Sequence, residues 1–278
     1  MSTTTLRLVA AVLAVVVGTL PLVAPPALAD PLFRACLLAI IAVSWNMMAG
    51  AGLISLGHSA FWGFGAYVAI LCANRAGLGF LPSLAVSIAA GALLGIALAL
   101  VTGKLQGIYF AICTLALSEG LRVVAVMLPD LTGGAQGQYL KSTLAPPTLH
   151  IELTAAAAVV AVALCAWGLS LTRYHYAFRA MRTNESAAQM LGIRPLVYRV
   201  AIVALCGGMA SLAGALSAWY SGYLDPHVAF TLHTTIMSQI APILGGIYTL
   251  SGPLLGTIVA AALEEITRTW LGEFEGAT

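Results

Sequence analysis

From Ala76 to Gly103 the chain carries no Asp, Glu, Lys or Arg. That stretch is longer than the roughly 20 apolar residues a helix needs to cross the hydrocarbon core of a bilayer. Comparable runs recur along the sequence, and none shows the period-two alternation of a membrane barrel. Inside lipid every backbone amide must find its partner within the spanning structure, which leaves helices as the fold. Composition agrees. Of 278 residues 60% are hydrophobic and 8% charged, with a mean hydropathy of +0.98, whereas soluble domains carry about 25% charged residues. The fold class is therefore all-α, a polytopic transmembrane helix bundle with broken or re-entrant Gly-rich segments.

About nine spans are predicted, near 6–28, 32–49, 58–74, 81–102, 107–128, 153–171, 200–221, 231–249 and 252–270. They form a single transmembrane domain over 1–278. The start reads as a retained first helix. A basic residue, an apolar core and Ala27-Leu28-Ala29 before Asp30 also fit a cleaved signal sequence over 1–29. The five cysteines, Cys36, Cys72, Cys113, Cys165 and Cys206, are dispersed through the spans without a CxxC pair. That pattern argues against a disulfide framework and against a metal site. Nothing points to nucleic acid.

Charge sets the orientation. The loop 173–199 holds Arg173, Arg179, Arg182, Arg194 and Arg199 with Glu185 as its one acid, and short loops rich in Lys and Arg stay cytoplasmic. Counting outward places Arg7 and Lys104 inside. Asp30, Arg34, Arg75, Asp130, Lys141, Glu152, Asp225 and the C-terminal LGEFEGAT fall outside.

Four places break the apolar pattern. The first is GLISLGHSAFWGFGAY, Gly52 to Tyr67, where Ser55, Gly57, His58 and Ser59 interrupt a span. Its glycines fit close helix packing, and its polar groups are candidates for a translocation path. The second is Glu119 with Arg122, whose i,i+3 spacing puts them on one face of the fifth span. Ionisable residues in a membrane turn toward the bundle interior or a watery path, so a structural ion pair and a pathway pair both fit. The third is LPDLTGGAQGQYL, Leu128 to Leu140, in which Thr132, Gly133 and Gly134 are candidates for a gate or a substrate contact on the translocation path, or belong to an external loop with no such role. The fourth is the loop Tyr174–Arg199. Asn184 suits the N-cap of a short helix over Glu185 to Leu191, Gly192 its end, and Pro195 follows. A short helix displayed in this way fits a partner's groove, or the loop serves topology and anionic lipid alone.

Taken together these stretches resemble the LivM-type inner-membrane permease of bacterial ABC importers for branched-chain amino acids. NMMAGAGLISLGHSAFWGFGAY (Asn46–Tyr67), GIYFAICTLALSEGLRVV (Gly107–Val124), LTGGAQG, FRAMRTNESAAQMLGI (Phe178–Ile193) and GGIYTLSGPLLG (Gly245–Gly256) are similar to five ordered motifs of that family. The resemblance covers about residues 40–265 and implies a multi-pass protein of the bacterial cytoplasmic membrane. It further implies partners: a second permease subunit, two cytoplasmic ATPase subunits and an extracytoplasmic solute-binding protein. Arg179, Arg182, Glu185, Ser186, Ala187, Ala188 and Gly192 would then couple to an ATPase. Ser186 stands where the general importer loop has its Glu, with Glu185 one residue earlier. The family continues into one more span after Glu264-Glu265, and that span is expected to be missing here.

ATP-driven work needs a phosphate-cradling GxxxxGK[ST] loop. The lysines are Lys104 and Lys141, and neither has that context. ATP and Mg would therefore sit on partner subunits, with no cofactor and no catalytic residue on this chain. Substrates implied by the resemblance are branched-chain or related hydrophobic amino acids, with amides or urea as further classes. Two other functions are weighed. A secondary transporter would use paired broken helices such as GLISLGHSAFWGFG and GGIYTLSGPLLG. An intramembrane serine protease would need Ser55 or Ser59 within hydrogen-bond reach of His58, with oxyanion donors, and no Gly-x-Ser-Gly element is present.

Overall fold

The computed structural model describes residues 25–141 and 145–275. Among these the long helices are α1 (Pro26–Gly50), α2 (His58–Ala76), α3 (Phe80–Val101), α4 (Ile108–Met127), α6 (Thr148–Ser170), α9 (Pro195–Ser221), α11 (Leu232–Gly245) and α12 (Gly252–Glu275). Shorter pieces join them: α5 (Pro129–Thr132), α7 (Arg173–Thr183), α8 (Glu185–Met190) and α10 (Pro226–Ala229). Two short strands, β1 (Gln138–Tyr139) and β2 (Tyr223–Leu224), pair antiparallel with Gln138 opposite Leu224 and Tyr139 opposite Tyr223.

The protein is a helical membrane bundle. Six helices among the described residues are long and apolar enough to cross a bilayer, against the nine spans expected. The difference has identifiable sources. Most of the first expected span lies outside the described residues, and its end, from Pro26, belongs to α1. Helix α2 carries His58, Asn74 and Arg75 and is wrapped by protein rather than lipid, so it needs less apolar character. Helix α12 carries Glu264, Glu265 and Arg268 in its second half.

Helix α9 is the axis of the bundle, packed against α3, α2 and α1. Lipid tails are as apolar as leucine, so close backbone approach has to supply the attraction between helices. Glycines permit it. A Cβ on Gly91 of α3 would lie 1.9 Å from the Ser211 hydroxyl of α9, and one on Gly214 of α9 would lie 1.9 Å from the Trp62 carbonyl of α2. Polar side chains in this core bond across helices: the Ser211 hydroxyl donates to the Phe61 carbonyl at 2.8 Å, and Trp219 Nε1–H to Ser83 Oγ at 2.8 Å.

Contacts sort the connections into two ends. At one end Gln106 Nε2 donates to Glu185 at 3.0 Å, Arg199 reaches the Gly103 and Leu105 carbonyls, and the Arg182 guanidinium lies over the Tyr248 ring. At the other, β1 pairs with β2, Asn74 bonds to Tyr139 and Lys141, and Arg75 donates to the Asp130 carbonyl. These are the groupings that the charge pattern assigned to the inside and the outside.

Candidate translocation and coupling site

Helix α1 ends at Gly50, and the chain then doubles back. Gly52 takes the turn at φ +84, a region glycine enters without penalty. Residues 53–57 run back along α1, where Trp45 Nε1–H donates to the Ser55 carbonyl at 2.9 Å and His58 Nε2 meets Ser44 Oγ at 2.9 Å. Ser44 is six residues from the end of α1, about 9 Å inward at 1.5 Å per residue. Helix α2 therefore begins inside the bundle, and the segment is the re-entrant break its glycines suggested.

A helix that begins away from water leaves its first N–H groups to be satisfied by neighbours. Here Leu56 N–H donates to Thr114 Oγ1 at 3.0 Å, Gly57 N–H to Ser55 Oγ at 3.3 Å, and Ser59 N–H to Thr235 Oγ1 at 3.0 Å. Ser59 Oγ also lies 2.8 Å from Ser118 Oγ and accepts from Thr235 Oγ1 at 2.9 Å. Gly57 is where α4 touches: a Cβ there would fall 1.7 Å from the Thr114 carbonyl oxygen. A seam of small polar groups thus joins α1, α2, α4 and α11. Ser44, Ser55, His58, Ser59, Thr114, Ser118 and Thr235 in it are all at most 2% exposed.

The tautomer of His58 follows from the bonds around it. Ser44 has one hydroxyl proton and donates it to the Cys206 carbonyl at 2.9 Å. Its oxygen must then accept from His58 Nε2–H, so the ring is held with Nε2 protonated and Nδ1 as acceptor. Nδ1 is buried without a partner among the described residues. Neither Ser55 nor Ser59 bonds to the ring, so the nucleophile–base contact a serine protease requires is not formed.

At the end bearing the Arg-rich loop, α7 packs its Tyr174 and Phe178 against Tyr198 of α9, with ring centroids 5.5 and 6.0 Å apart. Asn184 caps α8 by accepting from Ala187 N–H at 3.0 Å, and Gly192 leaves the helix at φ +83. Only one turn long, α8 is tied back by charge. Glu185 is turned into the protein, where it pairs with Arg199 and accepts from Gln106; side-chain exposures are 15% for Glu185 and 5% for Arg199. Ala188 is also buried. Ser186, Ala187 and Gly192 face outward, and Met190 and Leu191 beyond them are 91% and 79% exposed. Arg179 and Arg182 stand apart from that tip on α7, beside Tyr248.

The remaining predicted residues lie elsewhere. Glu119 and Arg122 pair with each other at 2.8 Å and stay partly exposed on the outer surface of α4, 52% and 30%. Glu119 is eleven residues into that helix, about 17 Å along it. Thr132, Gly133 and Gly134 are at the opposite end from α8. They form a compact turn in which Gly133 and Gly134 have φ +79 and +59, and Thr132 accepts from Gly134 N–H at 3.2 Å. Neither group reaches the seam at His58.

Ser44, Thr114, Ser118, Thr235 and Gln106 were not singled out from the sequence, and Arg199 was read there only as one of the loop's positive charges. The signal was present for two of them. Thr114 and Ser118 are four residues apart in an apolar span, hence on one face, and that face meets the start of α2.

Comparison with known proteins places this geometry in context. The sequence model of a family described as the permease component of the branched-chain amino acid transport system matches residues 27–277. The high-affinity branched-chain amino acid transport system permease protein LivM of Salmonella typhimurium is 26% identical over 269 residues, covering 84% of this chain and 61% of that protein. LivM of Escherichia coli is 25% identical over 265 residues with the same coverage. The autoinducer 2 import system permease protein LsrC of Salmonella typhi is 34% identical over 124 residues, 45% of this chain and 35% of that protein. The chain thus spans about three-fifths of the length of the LivM relatives it matches. No solved structure matches it.

Proposed function

The chain belongs to the family of permease components of branched-chain amino acid transport systems, and from that premise we propose that it is the membrane-spanning subunit of an ATP-driven importer. Its cargo in this reading is a branched-chain or related hydrophobic amino acid, with amides and urea as further classes. Its partners are a second permease subunit, two cytoplasmic ATPase subunits that carry ATP and Mg, and an extracytoplasmic binding protein, all at the bacterial inner membrane. The observation that carries the reading is α8. A single-turn helix, capped at both ends and tethered to the bundle by Glu185, holds Met190 and Leu191 almost wholly in the open. Exposed apolar side chains on a rigid tip suit the groove of another protein.

Glu119 and Arg122 support a second subunit. Each charge facing lipid at mid-span carries a penalty of about 2.5–3.5 kcal/mol. An exposed pair there is therefore suited to a protein neighbour or a watery path beside α4. In this reading the cargo passes along that surface, and the polar seam from Ser55 to Ser59 holds the re-entrant segment that backs it.

The test is uptake by vesicles containing this chain with a second permease, ATPases and a binding protein of such an importer from the same organism. Labelled leucine should accumulate only with ATP inside, and Leu191→Asp should abolish both ATPase retention and uptake. Accumulation driven by an ion gradient without the ATPases would replace this reading with that of a secondary transporter.

A further inference from the structure

A cavity of about 390 Å³ opens between α1, α6, α7 and the turn that joins α11 to α12. Its two halves differ in chemistry. Toward the bundle it is walled by Val43 and Met47 of α1, Leu169 of α6 and Leu250. At its mouth stand His175, Arg179 and Arg182 of α7. No carboxylate lines it, and neither arginine has an ion-pair partner among the described residues.

One wall of this cavity is built at a conformational cost. Tyr248 is the one residue other than glycine with positive φ among those described, at +65. L side chains rarely adopt that region, and such outliers persist where the surroundings over-determine them. Asn46 does so here: it accepts from Tyr248 N–H at 2.8 Å and donates to the Thr249 carbonyl at 2.9 Å. The held ring lies beneath the Arg182 guanidinium, 3.9 Å from its centre. Stacking covers a face of the guanidinium and leaves its N–H donors, which lie in the plane, free at the edge. Gly52 packs against the base of the same residue, since a Cβ there would lie 3.1 Å from Arg182 Cα. The arginine is thus packed at its base and over its guanidinium, while its side-chain N–H groups have no hydrogen-bond partner among the described residues.

We propose that this cavity binds an anionic phospholipid, its phosphate on Arg182 and Arg179 and an acyl chain against Met47 and Leu169. A planar guanidinium with free edge donors matches phosphate oxygens two at a time. The apolar half favours a lipid over a free anion, because inorganic phosphate leaves that wall uncovered. The position fits as well. The cavity lies where α1 and α6 end and the Arg-rich loop begins, which is the depth of a headgroup. The inference is independent of which solute is carried.

The experiment is native mass spectrometry of the full chain released from nanodiscs containing phosphatidylglycerol and phosphatidylcholine. Wild type should retain one phosphatidylglycerol in preference to phosphatidylcholine. Arg179→Gln/Arg182→Gln should lower that preference on the order of thirtyfold, with two basic contacts removed. Leu169→Trp, which fills the apolar half and leaves both arginines, should reduce retention too, and it serves if the double variant fails to fold. Inorganic phosphate should not displace the lipid. Unchanged retention in both variants overturns the proposal. So does displacement by phosphate alone, which would make this a free-anion site. Protection of the two arginines from dicarbonyl modification only when an ATPase subunit is added would assign them to a protein partner instead.

Discussion

Arg199→Met removes the donor that holds α8 to the bundle. The guanidinium it deletes bonds to the Glu185 carboxylate and to the carbonyls of Gly103 and Leu105, all at a site where the arginine is 5% exposed. Breaking a buried ion pair from one side is destabilising by about 3–5 kcal/mol, since the other charge stays buried and unpaired. Two features put this case at the lower end. Glu185 keeps the bond from Gln106 and is 15% exposed, so water can reach it. An expected loss of about 3 kcal/mol falls on α8, whose one turn has little else to hold it. Amide exchange reads the effect directly, because the N–H groups of Ala187, Ala188 and Ile193 are bonded only while α8 is formed. Their protection should drop about hundredfold, and amides in the centre of α9 should not change.

Glu185→Gln separates the inward role of this carboxylate from an outward one. The amide keeps a bond to Arg199 and should open α8 by about 1 kcal/mol. The double variant Arg199→Met/Glu185→Met should lose less than the sum of its singles, with a coupling of about 1.5–3 kcal/mol. Additive singles, or unchanged exchange over 187–193 in Arg199→Met, would refute the tether. Loss of ATPase retention in Glu185→Gln with α8 exchange intact would show the carboxylate acting on the partner.

Gly57→Ala should weaken thermal stability in detergent by several kcal/mol, beyond the about 1–3 kcal/mol of ordinary overpacking, because its Cβ would meet the Thr114 backbone at 1.7 Å. A variant that melts with wild type would show that α2 and α4 are not in contact there. Gly192→Ala has open space around it and should lose only about 1 kcal/mol, from the left-handed backbone alone. That change should register in α8 exchange and leave global unfolding unaltered. Glu119→Cys in the assembled importer should react with a water-soluble maleimide, or be shielded by the second permease. Quenching of a label there by brominated lipid would place this face of α4 against the bilayer and remove the pathway proposal.

Helix existence was legible in the sequence because apolar length determines it, and α3, α4 and α6 lie close to their expected ranges. The number of spans was less so. A helix wrapped by protein, such as α2, and a helix with charges in one half, such as α12, do not announce by hydropathy whether they cross. The short helix at 185–190 could be read from Asn184 and Gly192, since a cap and a left-handed exit are local chemistry. Its inward charge could not, because the pairing of Glu185 with Arg199 depends on how α8 folds against α9.

The same distinction governs the glycine-broken segment. Its polarity marked it as unfit for lipid, and that held: Ser55, His58 and Ser59 are all buried. What the residues do there is decided by partners far away in the chain, Ser44, Thr114, Ser118 and Thr235. Those partners are small hydroxyl residues that an apolar helix tolerates anywhere, so sequence gives them no prominence. Once paired, they account for Nε2 of His58 and for the hydroxyl of Ser59, and the Ser55 hydroxyl accepts from Gly57 N–H. The Ser59 and Ala60 amides also have neighbours, whereas among the described residues His58 Nδ1 and the Tyr67 hydroxyl are buried without one. A buried acceptor without a donor is destabilising by about 1–3 kcal/mol. The start of α2 therefore gains from a change of arrangement that brings a donor to that nitrogen. Such a donor can come from water or a passing solute only if the seam between α2, α4 and α11 opens. The seam lies in the half of the bundle nearer α8, since Gly52 meets Arg182 and the loop before α4 bonds to Glu185; in the proposed importer α8 would be the element placed to drive that opening.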